Sequence, residues 1–575
     1  MTIARPQHFL RLLGTSIAVA TLLLAALLLL LQPATPAGAQ MGLLFAQPSG
    51  SGTACSQALS CDLHTALDMA TDGDTIYMAE GNYTGAPTRG GESVIDIRRS
   101  ITLAGGWDGT TTTPPVCDPD RHPSTVDGQG VRRGVTISGP LTVTLQGLTI
   151  RNGVHDRMGA GLYALSVDLT LRHMAFISNV IDSTVIDSNV IDSTVSGGTV
   201  SSGTVSDSPY GGGAAVEWGA VRVEDSAFVG NSVRGKGGPT GGGLVISRTQ
   251  ETVVEDTLFQ GNDAWITSGL AVWGSNDPLS TVIVRRCRFE DNGWGFSPGQ
   301  AKGGYYGALV ISESHARVED NLFLNNWTGN GRGAVAFFRG DLQFDRNVIA
   351  GNSSHYDASA LYAYRVSPFT VTNNLIADNQ SEYSWRDDDP AVQIEYGSGQ
   401  LLHNTIARNG NDYGIRIDRG AAVTLTNNIL VSHTFGISVA TGCTATLDGT
   451  LWGAGEWANG SDWTGEGVLV TGTVNIWDEP GFSAPEDRDY HLAPLSAAID
   501  AGANPTGGGV GLDIDGDPRP IGGGADIGAD EWDPARPAPT VTSTPTLTPT
   551  PTPRPTSTPT PETRPLYLPL LERGR

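Results

Sequence analysis

Apolar positions in the middle of this chain come in short bursts. Each burst centres on an aromatic or aliphatic anchor with an asparagine three places later. The pairs are Phe176/Asn179, Phe228/Asn231, Phe259/Asn262, Phe289/Asn292, Phe323/Asn326, Ile349/Asn352, Ile376/Asn379 and Ile406/Asn409. Thr149/Asn152 extends the series upstream, and Leu430 with His433 extends it downstream. From Phe228 onward the steps are 31, 30, 34, 26, 27, 30 and 24 residues. Five places before the anchors stand Val223, Val254, Val284, Val318, Phe344, Val371, Leu401 and Leu425. Two places before them stand Ser226, Thr257, Cys287, Asn321, Asn347, Asn374, Asn404 and Asn428. A second β-branched run, opened by small residues, precedes each set, as in Gly243-Leu244-Val245-Ile246 and Gly307-Ala308-Leu309-Val310. Short runs of this kind, punctuated by Gly and Asn, predict strands joined by tight turns.

A unit of this length with two or three strands cannot bury a core alone. Stacked in register, each strand pairs with its copy in the next coil about 4.8 Å away, and the inward Val and Phe columns become one continuous core. The expected fold class is all-β, a parallel β-helix, with about ten coils between residues 149 and 430. Leucine-rich repeats fail for want of their leucine pattern, and propeller blades are longer. Asn is expected at the corners, where it tolerates left-handed backbone angles and its side chains bond to one another in ladders.

The remaining segments have other roles. Arg5 and Arg11, an apolar run over 17–31 and Ala37-Gly38-Ala39 predict a signal peptide over 1–39 that is removed before Gln40. An uncleaved anchor over 12–31 is the competing reading. Residues 40–54 form an N-terminal segment and 55–477 the β-helix. Asp62 to Ala70 reads as a short capping helix with Leu63, Ala66 and Leu67 on one face, leading into the first strands at Gly73. Residues 180–208, with Val-Ile-Asp-Ser three times over, read as an insertion leaving the stack. Residues 534–565 are a Pro/Thr-rich extended linker, and 566–575 a short tail too brief to span a bilayer.

The F-x-x-N and Gly212-Gly213-Ala214 motifs resemble the repeats of polymorphic outer-membrane adhesins and of the broader pectate-lyase-like proteins. That resemblance covers roughly residues 55–435 and implies a right-handed helix; it says little about activity. Residues 478–533 resemble the C-terminal region of choice-of-anchor Q proteins, through Ser496 to Gly502, Asp513 to Pro520 and Asp526 to Trp532. This second resemblance implies an exported protein, extracellular or on the cell surface, attached to the cell envelope through its C-terminal end.

Composition narrows the partners. The net charge is −25, from 35 basic and 60 acidic residues, and only Lys236 and Lys302 are lysines. Such a chain suits neither nucleic acid nor an anionic membrane; cations and neutral glycans fit better. The 75 glycines lack a three-residue period and serve turns, not collagen. Of five cysteines, Cys55 and Cys61 are close enough to bridge, Cys117 is a rival partner, and at least one thiol stays unpaired.

Candidate chemistry is sparse. Four and three places before the anchors stand Glu224-Asp225 and Glu255-Asp256. Stacked, these pairs form either a Ca²⁺ nucleus or a face neutralised by Arg285 and Arg286. Asp513, Asp515 and Asp517 alternate as Ca²⁺ ligands would, but Gly524 occupies the place where a Ca²⁺ loop needs Glu. Asp387, Asp388 and Asp389, beside Trp385, are weak catalytic candidates for glycoside hydrolysis. Trp265, Trp273, Trp294 and Trp327 are candidate stacking platforms for sugars. Two functions follow as expectations. One is a monomeric, non-catalytic surface protein that binds glycans or mediates adhesion. The other is a polysaccharide lyase or glycoside hydrolase.

Overall fold

Each coil is built the way the periodicity demands, from a long bent strand, a short strand and a variable return. Leu309–Glu319 pairs in parallel with Val335–Asp345, and that strand with Leu361–Thr372. The short strands Leu322–Leu324, Val348–Ala350 and Leu375–Ala377 follow in the same order. The computed structural model describes residues 42–85, 92–182, 210–235, 238–274, 279–293, 306–329, 332–355, 358–381, 389–410, 412–503 and 510–535. The export segment, most of the 180–208 insertion, Trp294, Asp387, Asp388 and the Pro/Thr-rich stretch from 536 onward lie outside the described residues. The chain divides into a unit ending at Trp532 and a second one from Asp533 to Arg575.

The core sits on the axis. Phe176, Phe228, Phe259, Phe289 and Phe323 are fully buried and stack face to face, with ring centroids 4.6, 5.0, 4.8 and 4.8 Å apart. That separation is the spacing of paired strands, so the rings repeat as the backbone does. The file continues through Ile349, Ile376, Ile406 and Leu430. Upstream the register is one residue off the sequence expectation. Ile150, not Thr149, pairs with Phe176.

Both asparagine ladders form, but by a different route from the one expected. The left-handed residue at each corner is the one before the ladder residue: Gly230, Gly261, Asp291, Asn325, Gly351 and Asp378 at one corner, Asp320, Arg346 and Asn373 at the other. The ladder asparagine supplies hydrogen bonds instead. Asn292 donates its backbone N–H and its Nδ2 to Oδ1 of Asn326, at 3.1 and 2.9 Å, and Nδ2 also donates to the Phe259 carbonyl at 2.9 Å. Asn326, Asn352 and Asn379 repeat the pattern with no side-chain exposure. His433 takes the next rung, with Nε2 3.2 Å from Asn409 Nδ2, and Asn459 follows it.

Three boundaries differ from the sequence reading. Strand Leu43–Ala46 pairs with Thr75–Ala79, so the solenoid starts before the capping helix and not at Gly73. The helix itself, Leu63–Met69, is capped by Asp62, whose side chain accepts the Thr65 N–H; Leu63 and Ala66 close the core. Val180–Asp182, placed in the insertion, is a strand of a third sheet between Val154–His155 and Ser232–Arg234. The sequence also suggests that residues 478–533 cap the open end of the stack, but their described apolar residues lie along the flank. Phe482, Tyr490, Leu492, Ala498 and Ile527 bury against Ala377, Ala407, Ile429 and Val431. Asn427 holds this segment by accepting the Gly528 N–H at its carbonyl and the Ala503 N–H at Oδ1. In the last coil Trp463 lies edge-on to buried Trp452, and Val468 and Val470 are exposed. Cys55 and Cys61 form a disulfide across a hairpin, leaving Cys117 exposed and free.

Candidate functional site

Long strands of the stack bend once, and the bends stack into a third corner. Its residues take left-handed angles: Trp218, Arg248, Glu313, Arg339, Arg365, Tyr396 and Arg419, with φ between 55° and 63°. Left-handed backbone strains a side chain-bearing residue, so the column exists because neighbouring coils enforce it. Glycine follows where the fit is tightest. A Cβ on Gly340 would lie 2.1 Å from the Ser314 carbonyl oxygen. At this corner Trp218, Arg339, Arg365, Tyr396 and Arg419 are exposed, in contrast to the ladder asparagines of the other two corners.

Aromatic rings gather just before and at the bend. Phe338 lies 5.0 Å from Tyr306, 5.6 Å from Tyr362 and 6.1 Å from Tyr364; Tyr364 meets Tyr396 edge-on at 5.5 Å. Trp273 packs against the same strip. Trp218 and Tyr396 are 50% and 44% exposed, an uncommon state for such large rings. Guanidinium groups lie over several rings. Arg248 is 5.5 Å from the Trp218 centroid, and Arg365 is 5.3 and 5.2 Å from those of Tyr364 and Tyr396. Arg339 pairs with Glu313, and Arg419 with Glu395, both at 2.9 Å. At the upstream end Tyr163 and Tyr210 donate their hydroxyls to the two oxygens of buried Glu217, at 3.0 and 2.6 Å. Burial first, and Glu217 second, push both phenols well above their ordinary range.

Of the four tryptophans expected as platforms, Trp273 belongs to this strip. Trp327 does not serve: it is 7% exposed, in a two-residue strand paired with Ser353–Ser354. Trp265 is half-buried in the loop after Asn262. Asp389 is buried, with the Ser381 hydroxyl donating to it at 2.7 Å, and so presents no open carboxylate.

The acidic columns are already neutralised by side chains. Glu255 accepts from Arg222, Arg285 and Arg286, and Asp256 from Arg286. Glu224 binds Arg172 and Arg222, and Asp225 faces His173 at 2.9 Å. Arginine therefore occupies the positions where a Ca²⁺ nucleus would need free oxygens.

The ligand atoms of Asp513, Asp515 and Asp517 lie within 4.8 Å of one another, as do those of His491, Asp515 and Asp530. However, Asp513 Oδ1 accepts the Asp515 and Asp517 N–H groups, and Oδ2 accepts that of Glu531. Three carboxylates, one of them spent on its own turn, fall short of the six to eight oxygens Ca²⁺ takes. Burial opposes charge on His491, yet Asp515, Asp530 and Asp489 around it raise it to about 9; burial lifts Asp530 to about 6. Arg519 and Glu531 form a buried pair at 2.8 Å beside them.

The corner column was missed in the sequence. Its members stand 10 or 11 residues before each anchor, and the one-residue wobble from the bulge at the bend blurs the period.

Residues 268–451 match the family model described as a right handed beta helix region, in agreement with the expected handedness. Solved structures similar to this chain include a pectate lyase, Pel9A, at 13% identity and a TM-score of 0.33, covering 86% of this chain and 98% of that one. A mutant of the periplasmic alginate epimerase AlgG is similar at 11% identity and a TM-score of 0.28, covering 66% and 78%. No curated protein sequence matches. Likenesses at this level bear on neither activity nor ligand.

Proposed function

We propose that this protein is an exported cell-surface β-helix that binds polysaccharide along its aromatic corner without cleaving it. The observation that carries the reading is the strip from Trp218 to Tyr396, with two large rings open to solvent on one edge of a rigid stack. Sugar rings stack on aromatic faces with apolar contact and little conformational cost. Rungs about 4.8 Å apart suit a linear polymer lying parallel to the axis. The alternative, a lyase or hydrolase, needs an open acid–base pair. Among the described residues Glu217 is held by two tyrosines, Glu313 and Glu395 by arginine, and Asp341 by His315. The choice-of-anchor-like C-terminal region and the linker beyond it would attach the protein to the envelope, and the N-terminal apolar segment would export it.

The test measures binding of the purified protein to neutral and acidic polysaccharides by tryptophan fluorescence and affinity electrophoresis, with product analysis in parallel. Binding that is lost in Trp218→Ala/Tyr396→Ala, with polymer length unchanged, supports the reading. Shortened polymer or unsaturated product would overturn it in favour of catalysis.

A further inference from the structure

Several arginines on this protein are engaged by carboxylates. Those on the flank bind Glu224, Glu255 and Asp256, and those at the corner bind Glu313 and Glu395. Arg248 and Arg365 differ. Each lies over an aromatic ring, and neither meets a carboxylate among the described residues. A ring beneath a guanidinium attracts it by its electron-rich face and fixes its plane, while leaving the N–H edges directed outward. Those edges are shaped to receive a planar or tetrahedral oxyanion in bidentate fashion.

Resting on the polysaccharide-binding reading, the geometry points to a ligand that carries anionic groups, carboxylate or sulfate, read by Arg248 and Arg365 at the left-handed corner. The register sets the scale. From Ser247 the pairing runs through Trp273, Ser312 and Phe338 to Tyr364, so the two arginines that follow Ser247 and Tyr364 are separated by four coils. Four coils are roughly 19 Å of axis, about the length of four sugar residues in an extended polymer. Arg339, one coil from Arg365, adds a third cation whose charge is shared with Glu313. The net charge of −25 suggested neutral glycans, but it acts weakly at this place. Charges more than about 8 Å apart are largely screened at physiological ionic strength, so the corner arginines act on a bound group more strongly than distant carboxylates do.

The experiment compares polymers of identical backbone with and without charge: polygalacturonate against its methyl ester, and dextran sulfate against dextran. Each is titrated against the purified full chain in EDTA at low and at physiological salt. The first pair isolates carboxylate and the second sulfate. One charged polymer at least is expected to bind about ten-fold tighter than its neutral parent, the worth of one charge-assisted hydrogen bond, and to weaken with salt. Arg248→Gln/Arg365→Gln is expected to abolish that preference and to unfold at the wild-type temperature. Neutral and charged polymers bound equally, or a preference untouched in the double variant, would overturn the inference while the polysaccharide reading survives. Binding to none of the four would sink both.

Discussion

Two corners of the same coil have the same backbone and opposite contents. At the asparagine corner a left-handed residue is followed by a side chain buried between coils, and that position repeats as Asn326, Asn352 and Asn379. At the arginine–aromatic corner a left-handed residue carries a side chain into water, and that position varies as Glu313, Arg339, Arg365, Tyr396 and Arg419. The stack fixes where the chain bends. Only the hydrogen-bonding demand inside the bend fixes which residue stands there. Identity is therefore restricted at the buried corner and free at the exposed one, where the surface can take on a binding task.

Substitutions can sharpen this contrast. Phe289→Ala, which opens a gap in the ring stack, should cost about 3–5 kcal/mol, seen as a large fall in the urea midpoint. Asn326→Leu takes the Asn326 side chain away from the Asn292 N–H and the Phe289 carbonyl, and removes one of the two hydrogen bonds that Asn352 Oδ1 accepts. It should cost about 3 kcal/mol, while binding by any folded protein stays intact. His433 gives a pH test. Burial holds its imidazole down to about 4 from an ordinary 6.5, with Asn459 opposing. A depressed histidine favours the fold above pH 6.5 and loses that contribution as pH falls toward 4. Stability should decline over that window by roughly 3 kcal/mol. His433→Asn, which restores the ladder residue, should lessen the decline measured by acid titration of the melting temperature. Arg365→Gln should shift stability by no more than about 0.5 kcal/mol. A loss comparable to Asn326→Leu would make the exposed corner structural too.

The same contrast explains what could be read from the sequence. Phe259, Phe289 and Phe323 announce the core because inward positions admit few residue types, and the ladder asparagines announce the turns. The strip around Phe338 and Tyr364 was hidden, since its members differ in kind and slip by one residue at the bulge. Trp327 misled because a tryptophan in a loop-like stretch gives no sign of facing inward. The C-terminal segment misled for a related reason. Ile527 and Ala498 reveal an apolar face, but nothing in them says that it meets Ala377 and Ala407 on the flank instead of the open end.

The asparagine ladder also runs in one direction. Each amide gives to the coil after it and to the carbonyl of the coil before it. Removing part of a turn would orphan partners on both sides, whereas excising a whole turn, from one asparagine to the next, rejoins donor to acceptor. The molecule can thus be lengthened or shortened only in integer turns, and any ligand-reading edge on it would change its reach in equal increments.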